Sequence, residues 1–128
     1  YKLLINMEKF KKIYSTLFKN NIAELAAIGN AELLKWARDK DCPWDEQTCA
    51  ELAAIGNVEL LKWARDKGCP WDNRTFNAAA AHGQLKMLCW LKENNCPVDE
   101  TVWISAAINF QMESLKWLKE NGYARYKL

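Results

Sequence analysis

The sequence predicts an all-α fold, a solenoid built from helix-turn-helix repeats, and two observations carry this prediction. Tryptophan recurs every 27 residues, at Trp36, Trp63, Trp90 and Trp117. Residues 22–48 and 49–75 differ at only five positions, so 22 of their 27 residues are identical. Identity on this scale indicates a tandem duplication, and we call each 27-residue segment a unit.

Each unit is expected to contain two short helices with defined ends. Asp72 is a predicted N-cap of a first helix, and Asn57 is a predicted N-cap of a second helix. Gly83 stands where a first helix should end in the left-handed conformation. The second helices should end at residue types that tolerate that conformation, namely Asp41, Gly68, Asn95 and Gly122. A proline two residues later then prevents continuation at the first three of these places.

The apolar residues predict how the units hold together. Helices of about ten residues are marginal alone, so the recurring tryptophans are expected to pack between neighbouring units. Trp71 is expected to pack on Phe76 as a hydrophobic staple at the start of a helix. Cys42, Cys69 and Cys96 recur at equivalent places, about 10 Å apart in such an arrangement, which exceeds disulfide reach. The cysteines are therefore interpreted as packing thiols in a reducing, intracellular compartment.

We treat residues 1–128 as one domain, and the 27-residue period divides this domain into units and two atypical ends. Residues 1–21 form a degenerate leading helix or cap, because their apolar residues lie three or four apart. The full units are 22–48, 49–75 and 76–102, and residues 103–128 form a terminal unit and tail. In the terminal unit Phe110 replaces the recurring glycine, and Asn109 is expected to adopt the left-handed conformation in its place.

Leu52–Cys69 resembles the core of an ankyrin repeat, whose helices carry an L-A-A…G-H-L-E-V-V-K-L-L-L…G-A pattern. Thr48, Thr75 and Thr101 resemble the threonine that opens the first ankyrin helix, although Thr101 falls one residue short of the 27-residue register. The tryptophan in the second helix and the Cys-Pro-Trp-Asp turn are similar to short ankyrin-like arrays of large DNA viruses, amoebae and other protists. The unit has 27 residues where ankyrin repeats have about 33. The resemblance therefore implies an ankyrin-like solenoid whose β-hairpins are lost or reduced to tight turns.

Several function classes find little support in the sequence. The chain contains one histidine, no Gly-rich phosphate loop and no convergent catalytic motif, so we expect no enzyme, no cofactor and no metal site. No apolar run reaches the roughly 18 residues that a membrane helix needs, so we expect no membrane partner. Lys35, Lys62 and Lys116 form a stripe, but glutamates interrupt it, which leaves nucleic-acid binding a remote alternative.

We therefore expect a non-enzymatic protein–protein interaction scaffold or adaptor, because stacked helix pairs present an extended surface. The predicted partner-binding residues lie in the turns and at the first-helix starts: Trp44, Glu46, Gln47, Trp71, Asn73, Arg74 and Glu100. The alternative interpretation of the two tryptophans is the staple role. The main alternative function is a structural component of a larger assembly, such as a viral particle, and self-association stays open. The expected location is intracellular, in the cytoplasm, or in the host cytoplasm or virion if the source is viral.

Overall fold

The computed structural model describes residues 8–9, 11–13 and 22–123. These residues form helices and turns, without a strand in the described ranges, so the predicted all-α class is confirmed. Residues 8–9 and 11–13 are helical, while most of the predicted leading segment 1–21 and the tail beyond Tyr123 lie outside the described residues.

Eight short helices follow one another from residue 23 to residue 120. They are α1 (Ala23–Ile28), α2 (Ala31–Asp39), α3 (Glu46–Ile55), α4 (Val58–Asp66), α5 (Asn73–Ala81), α6 (Leu85–Glu93), α7 (Thr101–Ile108) and α8 (Met112–Glu120). The odd-numbered helices follow the predicted first-helix positions, and the even-numbered helices follow the second-helix positions.

Side-chain caps begin four of these helices at the predicted residue types. Asp45 and Asp72 accept hydrogen bonds through Oδ1 from the backbone two residues later, at 3.0 and 2.9 Å. Asn30 and Asn57 accept through Oδ1 from the backbone three residues later, at 3.1 Å in both cases. Each cap satisfies a backbone N–H that has no partner inside its helix. The predicted N-caps Asp72 and Asn57 are confirmed.

Left-handed residues end the helices as predicted, with one exception. Positive φ values occur at the four second-helix ends, Asp41, Gly68, Asn95 and Gly122. In the terminal unit the prediction for Asn109 is wrong, because Asn109 has φ −95° and Phe110 has φ 54°. Phe110 occupies the place of Gly29, Gly56 and Gly83 in the earlier units. The backbone path of the repeat therefore overrides the local preference of asparagine for this conformation.

Replacing Gly56 with alanine is expected to cost more stability than the same change at Gly68. Both glycines have a positive φ, which costs a residue with a Cβ about 1–2 kcal/mol. At Gly56 the new Cβ would also lie 2.5 Å from Gln84 Oε1, whereas nothing lies within 4 Å at Gly68. Gln84 Nε2 donates to the Ala54 carbonyl at 2.9 Å, and losing that bond adds about 1 kcal/mol. Urea unfolding of the two variants measures the difference, and equal losses would contradict the contact.

The odd-numbered helices form the centre of the packing. α3 contacts α1 and α5, α5 contacts α7, and each odd helix contacts the even helix that follows it. Ala26, Ala53 and Ala80 are fully buried at equivalent positions of α1, α3 and α5. Small side chains at these positions let neighbouring odd helices approach closely.

Cysteine thiols connect the turns to the helix starts. Cys69 Sγ donates to the Asp45 carbonyl at 3.7 Å, and Cys96 Sγ donates to the Asp72 carbonyl at 3.8 Å. Both thiols are buried, and burial raises the pKa of Cys96 to about 12. The packing interpretation is confirmed for these two cysteines, whereas Cys89 is exposed.

Candidate functional site

The predicted partner face begins at two tryptophans, and the structure gives both of them packing partners. Trp44 and Trp71 lie just before α3 and α5, half-buried against the core. Trp44 meets Trp63 edge-to-face, with ring centroids 5.9 Å apart and planes at 72°. Trp71 meets Trp90 in the same way, at 5.8 Å and 67°. Trp44 thus packs against α4 and Trp71 packs against α6, in the edge-to-face geometry that aromatic rings favour.

An arginine lies over each of these two rings. The Arg38 guanidinium is 4.4 Å from the Trp44 centroid, and the Arg65 guanidinium is 4.1 Å from the Trp71 centroid. Arg38 Nη1 donates to the Cys42 carbonyl at 3.1 Å, and Arg65 Nη1 donates to the Cys69 carbonyl at 2.6 Å. The Arg65 side chain thus clamps the Cys-Pro turn against the tryptophan.

The rings of Trp71 and Phe76 have different aromatic partners in the described part of the chain, so the expected staple between them is not confirmed. Trp71 pairs with Trp90, while the Phe76 ring lies 6.3 Å from Trp117 and 5.6 Å from Tyr123, measured between centroids. The Phe76 contacts join α5 to the last helix pair, whereas the Trp71 contact joins the start of α5 to α6 of the same pair.

Replacing Arg65 with lysine tests the clamp. Lysine keeps the positive charge but loses the planar group that covers Trp71 and the hydrogen bond to the Cys69 carbonyl. We expect a loss of about 1–2 kcal/mol in the free energy of unfolding. Arg74→Lys is the control, because the side-chain hydrogen bonds and ion pairs of Arg74 in the described part of the chain go to carboxylates at the surface, and it should change stability little. Equal effects in urea unfolding would contradict the clamp.

The polar residues of the predicted face form hydrogen bonds and ion pairs along the starts of the odd helices. Arg74 Nη2 donates to Asp72 Oδ2 at 2.8 Å and lies 3.7 Å from Glu46 Oε2, which connects α5 to α3. The hydrogen bond from Arg74 holds the pKa of Asp72 below its ordinary value. Gln47 Nε2 donates to Glu51 Oε1 at 2.7 Å.

The same row of contacts continues towards α7. Asn73 Nδ2 donates to Asp99 Oδ2 at 2.8 Å. The hydrogen bond from Thr101, assisted by that from Asn73, lowers the pKa of Asp99. Glu100 is exposed beside Asp99, and its carboxylate has no ion-pair partner in the described ranges. The structure therefore brings six of the seven predicted residues into intramolecular contacts and leaves Glu100 apart from them.

Sequence reasoning missed the arginines that lie over the tryptophans. A signal was present, because Arg38 and Arg65 recur at 27 residues together with Trp44 and Trp71. Shared periodicity of a guanidinium and an aromatic ring indicates a contact between them when both are close along the chain.

The recurring tryptophans and lysines of the even helices form some contacts with side chains of the chain itself. Trp36, Trp63, Trp90 and Trp117 are all half-buried against the core. Lys35 Nζ lies 5.4 Å from the Trp63 centroid, and Lys62 Nζ lies 3.6 Å from Glu59 Oε1. Two members of the predicted lysine stripe therefore contact side chains of the chain itself.

Comparisons with known proteins add no family, since the chain matches no protein-family model, no curated protein and no solved structure. Within residues 8–9, 11–13 and 22–123, no three His, Cys, Asp or Glu side chains are placed to hold a metal ion. None of the helices in this part of the chain is long and apolar enough to cross a membrane. Function must therefore be inferred from the surface of the helices.

Proposed function

We propose that the chain is an ankyrin-like solenoid of helix pairs that acts as a non-enzymatic protein–protein interaction scaffold. One observation carries the proposal: two consecutive units share the same structural contacts but carry different polar residues at one partly exposed place. The aspartate cap, the arginine over the tryptophan and the tryptophan pair all recur at 27 residues. Glu46 and Gln47 of the first unit become Asn73 and Arg74 in the next. A constant frame that carries variable side chains is the architecture that repeat scaffolds use.

The order of helix contacts supports the solenoid part of this proposal. Odd helices contact their nearest odd neighbours in chain order, and α6 contacts both α4 and α8. In a repeat protein each unit contacts mainly the units beside it, so such nearest-neighbour packing is expected. The five free cysteines agree with an intracellular location.

The charge of the proposed binding face favours a basic partner segment. The row of odd-helix starts carries five carboxylates, from Asp45, Glu46, Asp72, Asp99 and Glu100. Arg74 lies among them and pairs with two of these groups. A negative face selects partners with lysine or arginine side chains and accelerates their association at low salt.

The test compares two exchanges that use residues from the chain's own repeats. Asn73→Glu with Arg74→Gln gives this unit the polar residues of the unit before it, at the proposed face. Lys86→Glu is the matched control, because residues 32 and 59 are glutamates at the equivalent place on a different edge. Proteins captured from a cell extract in equal amounts by the unaltered chain and by the control, but in different amounts by the double variant, would support the scaffold.

Two other outcomes of that experiment would count against the proposal. Capture of nothing by the unaltered chain would overturn the scaffold function. Capture that the double variant retains in full would overturn the assignment of the binding face. Circular dichroism of all three proteins shows whether each exchange leaves the fold intact.

A structural role in a larger assembly is the second candidate, and the uncovered apolar side chains of the last helix pair favour it. Ile108 and Phe110 are 68% and 85% exposed. Nucleic-acid binding gains no such support, because Lys35 and Lys62 already contact Trp63 and Glu59.

A further inference from the structure

One side of α5 faces α7, and three observations define it. Asn77 Nδ2 donates to Thr101 Oγ1 of α7 at 2.8 Å. Ala80, nearly one turn further along α5, is fully buried. Gln111 Oε1 lies 2.5 Å from the position that a Cβ on Gly83 would take. This side of an odd helix is therefore the one that receives the next helix pair.

The equivalent side of α7 is uncovered in the described part of the chain. Its residues follow those of α5 by 27 positions and form what we call the open face: Ile104, Ala107, Ile108 and Phe110. Ala107 is exposed where Ala80 is buried. Ile104 is 48% exposed, and the neighbouring Met112 is 68% exposed.

The open face differs in size from its counterparts in α3 and α5. Those counterparts are small or polar: Ala50, Ala53, Ala54 and Gly56 in one unit, and Asn77, Ala80, Ala81 and Gly83 in the next. Phe110 also holds a φ of 54°, which bulky residues rarely adopt, with its ring in solvent. Its Cβ occupies the space into which a further unit would place the glutamine. The open face is therefore poorly shaped for another unit packed in the same geometry.

Charge points to a second copy of the chain as the occupant. Helix α7, Thr101–Ile108, contains no charged residue, whereas each of the other seven helices contains at least one. A twofold interface brings the same surface of both copies together, so a charged face would repel itself and an uncharged one does not. Neutral Thr101, Ser105 and Asn109 surround the isoleucines and can form a polar rim.

The exposed area is of the right order for the centre of such an interface. Ile104, Ile108, Phe110 and Met112 together expose on the order of 400–500 Å² of side chain, roughly half of what each partner of a standard interface buries. The open face also continues the packing that already joins α1 to α3, α3 to α5 and α5 to α7.

We propose that two copies of the chain pair through their open faces about a twofold axis. The two α7 helices run antiparallel, and the Phe110 ring of each copy packs beside Ile104 of the other. This pairing needs no client protein, so it holds or fails independently of the scaffold function.

Sedimentation equilibrium of the intact chain over a wide concentration range tests the pairing. The average mass should rise from that of one chain, 14.8 kDa, towards that of two. The variant Ile108→Ala with Phe110→Gly restores the residue types of Ala81 and Gly83, so it should fold normally. Its dissociation constant for pairing should rise at least about tenfold, as loss of a central apolar contact predicts.

Ile28→Ala is the matched control, because Ile28 is 56% exposed on α1, away from the open face. Pairing of this control with unchanged affinity is the expected result. A mass of one chain at every concentration would overturn the proposal, and so would pairing that the double variant leaves unchanged. A mass that grows past two copies would also overturn it, because a twofold contact closes after two chains.

Discussion

Replacing Phe76 with alanine is expected to lower the free energy of unfolding by about 3–5 kcal/mol. Phe76 is fully buried, and its ring lies between α5 and the last helix pair, where it contacts Trp117 and Tyr123. Truncation removes the apolar area of the ring and leaves a cavity that several half-buried aromatic rings cannot fill without moving. Urea unfolding followed by circular dichroism measures the loss.

Phe110→Ala is the control for this experiment, because it removes the same ring from a site that is 85% exposed. Both variants are measured in solutions too dilute for two chains to pair. Its effect should stay within about 0.5 kcal/mol, as for most surface substitutions. Similar losses for the two variants would show that Phe76 is not the packed residue described above.

The second large effect is expected at Trp63, where alanine should cost about 2–4 kcal/mol. If the Trp63 ring were fully buried, as the sequence predicts, the loss in free energy of unfolding would be about 3–5 kcal/mol. Trp63 is only half-buried, which lowers this estimate, but Trp44 packs on its edge and Lys35 lies over its face. The measurement is again urea unfolding.

A double-mutant cycle separates the contact between the two tryptophans from their burial. Trp44→Ala, Trp63→Ala and the double variant should give a coupling free energy of about 0.5–1.5 kcal/mol. Trp44 with Trp117 is the control pair, since these rings have no contact with each other among the described ring pairs. A coupling near zero for Trp44 with Trp63 would contradict the edge-to-face contact.

The helix ends could be predicted from the sequence because they depend on local chemistry. Asp72 and Asn57 cap helices through bonds to backbone groups two or three residues away, which depend on little else in the molecule. Phe110 shows where local chemistry is insufficient. Asparagine at 109 is the better left-handed residue by preference, but the 27-residue backbone path puts that conformation one residue later.

The contacts of the candidate site were harder to predict, because a long side chain can either extend into solvent or bind to a neighbouring turn. Helical periodicity places Arg65 on the outer side of α4, yet its guanidinium reaches back to Trp71 and the Cys69 carbonyl. Which of these two positions the side chain takes depends on the distance between the helix and the turn that follows, and only the folded structure gives this distance. The partner of Phe76 was hidden for the same reason, since Trp117 is 41 residues away.

Deletion of residues 49–75 tests the repeat architecture most directly. The deletion removes one 27-residue period, about a fifth of the chain, and joins Thr48 to Phe76 in the original register. Trp44 should then face Trp90 as it now faces Trp63, because each helix pair contacts mainly its neighbours. We expect a folded protein with the same helical signal per residue. It should unfold cooperatively in urea, with an m value lower by about a fifth. A shortened chain that is unfolded, or that shows no cooperative transition, would contradict the repeat architecture.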